Sequence, residues 1–194
     1  MYNFGVGDTK NIVVGGITHP VRIIGFNYDN AVNTAAGNKI GITFEFTNHL
    51  APARRLHSTT TISAAGGWAG AELRGVLNNE VFNSLPNDLR TVIRPAVKES
   101  MVQGGNIVST NDNLWILCAL EYYNETGWGL WIRSGHAGQY EYYRDIVVNI
   151  DGYFSTTPSF WTRSVNRGEG SSWAMRHGAS PATTARGISP AFGV

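Results

Sequence analysis

The side chains that most often carry out chemistry are scattered along this chain. None of the five histidines has a partner at the spacing of a zinc motif such as His-Glu-x-x-His. These histidines are His19, His49, His57, His136 and His177. The sequence therefore predicts no metal site, and a site assembled from distant residues is the open alternative.

The single cysteine, Cys118, lies within the apolar run 114–120. A nucleophilic cysteine needs an exposed, electropositive setting that lowers the pKa of its thiol, and this run offers the reverse. We therefore expect Cys118 to be a small buried hydrophobic residue. With one cysteine, a disulfide within the chain is impossible.

A pair of carboxylates for glycoside hydrolysis could be drawn from several residues, but no motif singles out two of them. The candidates are Glu45, Glu72, Glu121, Glu125, Glu141 and Asp145. The glycine-rich pieces 5–7 and 66–67 lack the lysine of a phosphate-binding loop. The sequence therefore predicts no catalytic residue and no cofactor.

Two short stretches carry the hard oxygen ligands that calcium prefers: 27–30 (Asn-Tyr-Asp-Asn) and 109–113 (Ser-Thr-Asn-Asp-Asn). Neither has the spaced carboxylates and the following glutamate of an EF-hand loop. Ordinary Asx-turns, in which the side chain bonds the nearby backbone, explain both stretches better.

Composition indicates a neutral, turn-rich chain. Of its 194 residues, 42% are hydrophobic and 15% are charged, glycine occurs 23 times, and the formal net charge is +1. This length fits one domain, 1–194, with an ordinary core. Since the charge is near zero and the arginines are spread along the chain, nucleic acid is not an expected partner.

No apolar run is long enough to span a bilayer, so membrane insertion is not expected. The first residues, Met-Tyr-Asn-Phe-Gly, lack the basic start and apolar core of a secretory signal. We therefore expect synthesis and assembly in a cytoplasm, unless a leader has been removed.

The N-terminal region has the patterns of β-structure. Residues 11–27 are rich in β-branched side chains and predict a hairpin around Gly15-Gly16. Residues 27–38 predict a loop. Residues 40–46, apolar at every second position, predict a half-buried strand.

The middle of the chain changes to a helical period. Apolar side chains recur at spacings of three to five residues over 68–85, which predicts a helix with a break near Asn78-Asn79. A second, short helix is expected over 89–93, and Pro95 must end it.

Beyond these helices the sequence predicts strands and long loops. The run 114–120 predicts a central strand buried on both faces. Residues 104–113 predict a polar loop, and 122–143, dominated by aromatic residues and glycine, predict irregular backbone. The other expected β segments are 97–102, 145–150, 173–176 and 188–194.

Two segments echo one another: 130–134 (Leu-Trp-Ile-Arg-Ser) and 160–164 (Phe-Trp-Thr-Arg-Ser). With so few matching residues, chance explains the echo at least as well as duplication does. Each segment is expected to pack its Trp inward and to aim its Arg at carbonyls or a neighbouring loop. The predicted structural anchors are Trp68, Trp115, Trp131, Arg133, Trp161 and Arg163.

The C-terminal third interleaves aromatic and arginine side chains with glycine and serine. Such residues are common at recognition surfaces, because they supply contact area at little cost in conformational entropy. The residues concerned are Trp161, Arg163, Arg167, Trp173, Arg176 and His177. In the alternative interpretation, favoured for each Trp taken alone, the tryptophans are core and the arginines satisfy loop carbonyls.

Several motifs occur in an order that resembles a known family. They are 66–78 (Gly-Gly-Trp-Ala-Gly-Ala-Glu-Leu-Arg-Gly-Val-Leu-Asn), 82–89 (Phe-Asn-Ser-Leu-Pro-Asn-Asp-Leu), 113–117 (Asn-Leu-Trp-Ile-Leu), 138–143 (Gly-Gln-Tyr-Glu-Tyr-Tyr), 160–164 and 187–192 (Gly-Ile-Ser-Pro-Ala-Phe). The chain resembles an uncharacterised family of domains common in surface-exposed proteins of gut bacteria and in their phages. That family is similar to C-type-lectin-like folds, with distant kinship to formylglycine-generating enzymes and to phage receptor-binding proteins.

The resemblance implies an α+β, C-type-lectin-like fold with small antiparallel sheets, two helices and long aromatic and glycine-rich loops. In such folds the ligand face follows the Trp-X-Arg-Ser segment, here roughly 165–186. The residues expected to bind a ligand are Asn166, Arg167, Glu169, Trp173, Arg176 and His177. Thr162 and Ser189 stand where the family usually has an aromatic residue and an arginine, so the contact of that arginine is in doubt.

The formylglycine-generating relatives use copper and paired cysteines, so the single Cys118 argues against their chemistry. The resemblance and the missing signal imply a non-enzymatic protein on the surface of a phage virion, in a tail, baseplate or capsid decoration, assembled in the host cytoplasm. Its expected partners are other virion proteins, copies of itself, and a host-surface glycan or protein. The alternatives are a purely structural cement protein and, less favoured, an enzyme acting on cell-wall glycans.

Overall fold

A computed structural model of the chain describes residues 3–32, 37–58, 66–102, 106–123, 130–131, 138–146, 159–166, 172–175 and 178–194. The strands are β1 Thr9–Val14, β2 Ile17–Phe26, β3 Asn30–Ala31, β4 Ile42–Phe46, β5 Ala96–Met101, β6 Ile107–Asp112, β7 Trp115–Ile116, β8 Leu130–Trp131, β9 Trp161–Asn166, β10 Ser172–Met175, β11 Gly178–Pro181 and β12 Pro190–Gly193. The helices are α1 Glu72–Val76, α2 Phe82–Ser84, α3 Asn87–Val92, α4 Ala119–Tyr123 and α5 Glu141–Ile146, with a π-helical turn Leu77–Val81 between α1 and α2. The chain is a mixed α+β protein with short helices and mostly antiparallel sheets.

The largest sheet has five strands in the order β1-β2-β4-β12-β7. Its first hairpin turns at Gly15 and Gly16, whose φ angles of +56° and +84° lie in the left-handed region that a two-residue turn requires. This confirms the predicted hairpin over 11–27. Strand β12 pairs with β4 on one side and β7 on the other, so the end of the sequence lies inside this sheet.

The expectation of a polar loop over 104–113 was wrong for most of that range. Strand β6 forms there and pairs with β5 along its whole length. Thr110 and Asp112 are buried, whereas their neighbour Asn111 is exposed. Polar residues can occupy inward positions here because their side chains bond each other: Thr110 Oγ1 donates to Asp112 Oδ2 over 2.7 Å. Sequence alternation based on hydrophobicity overlooks such a strand.

The run 114–120 is buried as expected from Leu114 to Ala119, but it is not the central strand. Within this run, only β7 pairs with another strand, and it lies at the edge of the five-stranded sheet. Helix α4 begins at Ala119. A continuous apolar run cannot distinguish a buried strand from a buried helix. Glu121 Oε2 accepts the backbone N–H of Cys118 over 2.8 Å, which stabilises the start of the helix.

The predictions for 122–143 and 145–150 also need correction in the described residues. Helix α5 replaces the irregular backbone from Glu141 and includes the first two residues of the expected strand, whereas 147–150 lie outside the described residues. Gln139 ties α4 to α5, since its Nε2 donates to the carbonyls of Tyr122 at 2.6 Å and Tyr143 at 3.0 Å. The chain therefore has helices beyond the two expected regions.

The break expected near Asn78-Asn79 appears as the π-helical turn, which lets Asn78 reach the start of β7. Its Oδ1 accepts the backbone N–H groups of Asn113 at 2.7 Å and Leu114 at 3.2 Å. Its Nδ2 donates to the Leu114 carbonyl over 2.9 Å. A π turn at such a position is typical of a functional or packing constraint, and here it joins the helix to the sheet.

Replacing Asn78 by alanine is expected to lower the free energy of unfolding by about 2 kcal/mol, because backbone groups at Asn113 and Leu114 lose their partner. Chemical denaturation measures this change. The matched control is Asn79→Ala: the Asn79 side chain is exposed and bonds only the Gly75 carbonyl among the described residues, so its loss should cost under about 0.5 kcal/mol. Equal effects of the two changes would contradict this role for Asn78.

One cluster of buried apolar side chains packs the sheets and helices together. Its largest fully buried members include Trp68, Trp115 and Trp161. Cys118 is buried and free, which confirms the expectation for it. Among the helices of the described residues, none is long and apolar enough to cross a membrane.

Candidate binding sheet and its buried ion network

The strands described within the segment expected to bind a ligand belong to a four-stranded sheet in the order β11-β10-β9-β8. In β9 and β10, Val165 pairs with Trp173 and Trp161 pairs with Met175, with a register shift between them. In β10 and β11, Ser172 pairs with Pro181 and Met175 with Gly178. We call β8 to β11 the binding sheet, after the ligand contacts that the sequence predicts for it.

The register places two of the predicted ligand residues close together. Asn166 ends β9 and Trp173 lies near the start of β10, at the same end of the sheet. Met175 and Gly178 pair at the other end of β10, two residues beyond Trp173. Arg167, Glu169, Arg176 and His177 lie outside the described residues.

The described residues of the first echoing segment, Leu130 and Trp131, pair with β9 in the binding sheet, but their register does not match the second segment. Trp131 of β8 pairs with Val165, and Leu130 pairs with Asn166. A duplicated unit would be expected to set its tryptophans in equivalent places, and Trp131 is instead opposite the end of β9. Arg133 lies outside the described residues.

The other residues expected as anchors are in the interior. Trp68, Trp115, Trp161 and Arg163 are each at most 1% exposed. The indole nitrogen of Trp161 donates to the Arg54 carbonyl over 2.9 Å. A buried indole needs such a partner, so this bond holds the start of β9 in place.

Arg163, in the middle of β9, is bound to helix α4. Its Nη2 donates to Glu121 Oε1 over 2.8 Å, and its Nη1 donates to Glu121 Oε2 and, at 3.2 Å, to the Ile116 carbonyl. Next to it, Ser164 Oγ accepts the backbone N–H of Ala119 over 2.8 Å. The planar fork of arginine fits a carboxylate with two parallel bonds, so it fixes orientation as well as distance.

Glu121 also bonds a fully buried lysine. Lys98 Nζ, on β5, lies 2.8 Å from Glu121 Oε1 and 2.7 Å from Asp29 Oδ1. The second oxygen of Asp29 accepts the hydroxyls of Thr43 at 2.6 Å and Tyr140 at 2.9 Å. We call Asp29, Lys98, Glu121 and Arg163 the ion network.

The ion network contains two cations and two carboxylates, so its formal charge is zero. Neutrality and complete pairing are what make buried charges tolerable, since an unpaired charge in the interior costs several kcal/mol. Burial by itself would raise the pKa of Glu121. The charges of Arg163 and Lys98 outweigh burial and hold this pKa well below its usual range.

A second buried carboxyl, Glu45 on β4, has a different environment. Burial raises its pKa, although the hydroxyls of Tyr122, at 2.6 Å, and Tyr143 donate to it and work in the opposite direction. Its nearest cation, Arg22, is 3.9 Å away. Burial likewise raises the pKa of the Cys118 thiol, so this residue lacks the thiolate that nucleophilic chemistry requires.

Glu72, another candidate carboxylate, is a surface residue at the start of α1. Its side chain is 54% exposed and accepts the Ser58 hydroxyl at 2.6 Å and the Ser58 backbone N–H at 2.9 Å. Hydrogen bonds from Ser58 hold the pKa of Glu72 below its usual value. Glu72 is therefore a solvated residue at the start of a helix.

In the two stretches considered for calcium, the carboxylates are bonded to other side chains of the protein. Asp29 bonds Lys98, Thr43 and Tyr140, and Asp112 accepts the Trp68 indole at 2.9 Å and Arg74 Nε at 2.6 Å. Both carboxylates are fully buried, which Asx-turns would not have predicted. Within the described ranges, no group of three or more His, Cys, Asp or Glu side chains is placed to hold a metal ion.

Sequence reasoning missed the ion network because its members come from distant segments. Arg163 was expected as an anchor and Glu121 only as a possible catalytic carboxylate, while Asp29 was assigned to a turn. One signal was available. Ala96, Lys98 and Ser100 are alternate residues of β5 and point to the same face of the strand, and that face is buried. A lysine whose side chain points inward requires carboxylate partners, because an unpaired buried charge is costly.

Comparison with known proteins gives no relative to set beside this geometry. No family model matches the chain, and neither does any curated protein or solved structure.

Proposed function

We propose that this chain is a non-enzymatic, C-type-lectin-like protein on the surface of a phage virion, where the binding sheet and its connections contact a host-surface glycan or protein. In a tail, baseplate or capsid decoration it would contact other virion proteins and further copies of itself, after assembly in the host cytoplasm. The proposal takes its setting from the sequence resemblance. Its structural support is the set of hydrogen bonds that fixes β9 to the rest of the protein.

The observation that carries the proposal is the rigid attachment of β9 directly before the expected ligand residues. Trp161, Arg163 and Ser164 are buried and bonded to Arg54, Glu121 and Ala119, respectively. Asn166 follows two residues later at the end of the strand. A recognition loop gains affinity when its support is fixed before the ligand arrives, because less entropy is lost on binding.

The test is a double substitution, Trp173→Ala with Arg176→Ala, measured by binding to host cells and to an array of host glycans. We expect at least a tenfold loss of binding, since aromatic and arginine residues dominate recognition surfaces. A circular dichroism spectrum and a thermal transition like those of the wild type establish that the variant is folded. Binding that survives in the folded variant would contradict the proposed face.

One observation favours a second function, that of a cement protein packed on a neighbouring subunit. The first hairpin and the residues before it expose large apolar side chains: Phe4 is 66% exposed, Val13 45% and Ile17 60%. Val13 and Ile17 both lie beside the turn of this hairpin, and exposed apolar side chains at one place often mark a protein contact. The double variant Val13→Ser with Ile17→Ser serves as the matched control: it should retain host binding, and loss of incorporation into particles would favour the cement function.

A further inference from the structure

Three reactive groups meet in the fully buried interior. Lys98, Asp29 and Glu121 are each fully buried, and Lys98 Nζ lies within 2.8 Å of an oxygen of both carboxylates. The rings of Trp115 and Tyr140 also face the amine, with centroids 4.9 Å and 5.8 Å from Nζ. An amine held against a carboxyl group, shielded from bulk solvent, is the arrangement that favours amide formation.

We propose that Lys98 and Asp29 condense to an isopeptide bond, with Glu121 as the proton relay. This cross-link would join β5 to the segment just before β3, across 69 positions of the sequence. It depends neither on a ligand nor on the proposed function, since all the reacting groups belong to the folded chain.

The reaction balances with no other reagent. Proton transfer within the ion pair leaves a neutral Lys98 amine, which attacks Cγ of Asp29 and forms the C–N bond. In total, two protons pass from Nζ to Oδ1, the oxygen that Lys98 approaches, and Oδ1 leaves as water. The Glu121 carboxylate accepts a proton from Nζ and returns it to the leaving oxygen, so it is unchanged at the end.

The remaining oxygen of Asp29 has the partners that a tetrahedral intermediate needs. Oδ2 accepts hydrogen bonds from Thr43 Oγ1 at 2.6 Å and from Tyr140 Oη at 2.9 Å. Fixed donors of this kind stabilise the negative charge that develops on an oxygen during acyl transfer. After water leaves, the same two hydroxyls bond the amide carbonyl.

Electrostatics favours the product. The ion pair between Lys98 and Asp29 is buried at a large cost in desolvation, and a neutral amide removes both charges. The charges that stay behind, Glu121 and Arg163, are already paired through two parallel hydrogen bonds. Condensation therefore leaves no unpaired charge in the interior.

The decisive experiment is the intact mass of the purified, folded wild-type protein, measured after denaturation and followed by tryptic mapping. We expect a mass lower than that of the sequence by one water molecule. Trypsin should fail to cut after Lys98, so that peptide 91–133 remains joined to peptide 23–39 as a branched species. The full sequence mass, with a free peptide 91–98, would overturn the proposal.

Matched variants locate the bond. Replacing the other two lysines, as Lys10→Arg with Lys39→Arg, should leave the loss of water intact, whereas Asp29→Ala and Lys98→Ala should each restore the full mass for their sequences. Glu121→Gln should slow the loss of water in folded protein by at least tenfold, because the relay is removed. A loss of water without the branched peptide would count against the proposal, because the dehydration would then lie elsewhere.

Discussion

Replacing Glu121 by glutamine is expected to lower the free energy of unfolding by about 3–5 kcal/mol, the cost of removing one partner from a buried ion pair. The substitution keeps the shape of the side chain but leaves Arg163 without its carboxylate. The loss is expected with or without a Lys98–Asp29 bond, since Arg163 is affected in either case. Urea denaturation measures it.

The control for Glu121 is Glu80→Gln. Glu80 is 65% exposed and lies 3.6 Å from Arg54, and surface ion pairs of this kind contribute under about 1 kcal/mol. If both variants unfolded at the same denaturant concentration, the ion network would have no special role in stability.

The same carboxylate gives the stability a predictable dependence on pH. Because the pKa of Glu121 is lower in the folded chain than in the unfolded one, its contribution is complete above pH ~4.3 and is lost as the pH falls. Glu45 acts in the opposite sense: burial raises its pKa, so its contribution is complete in acid and is lost as the pH rises. The Glu121→Gln variant should therefore lose less stability than the wild type on acidification.

Replacing Trp68 by alanine is expected to cost about 3–5 kcal/mol, the usual price of removing a large aromatic side chain from a core. Trp68 is fully buried, and its indole nitrogen donates to Asp112 over 2.9 Å. Trp68→Phe separates the two effects, because it keeps most of the volume and removes the hydrogen bond, which contributes about 1 kcal/mol. Thermal or urea unfolding of both variants supplies the comparison.

Asp112 keeps Arg74 and Thr110 as partners when the indole is removed, which is why the phenylalanine variant should remain folded. Equal destabilisation by the two substitutions would mean that the hydrogen bond, and not the packing of the ring, dominates at this position.

The parts of the fold that the sequence predicted are those in which local pattern and tertiary packing agree. Repeated β-branched residues and the Gly15-Gly16 pair predicted the first hairpin, and the apolar period predicted the helical region with its break at Asn78. Pro95 follows α3 as expected, because proline cannot continue a helix. These signals are local, so one sequence suffices to read them.

The errors have a common physical cause, which is that tertiary partners decide between local alternatives. Strand β6 is largely polar and forms because β5 supplies a complete set of backbone partners. Helix α4 forms inside an apolar run because Glu121 satisfies the N–H at its start. In the candidate site, burial of Trp161 and Arg163 was a reasonable inference from residue type, while the pairing of Arg163 with Glu121 depends on segments far apart in the sequence.

The position of β12 between β4 and β7 has a consequence for biosynthesis. Phe192 pairs with Phe44, so the middle of the largest sheet joins residues made early on the ribosome to residues made late. Until residues 190–193 emerge from the exit tunnel, β4 has an unpaired edge that a chaperone or another nascent chain can occupy. A chain that lacks residues 190–193 is therefore expected to leave the edge of β4 unpaired and to be cleared by proteases.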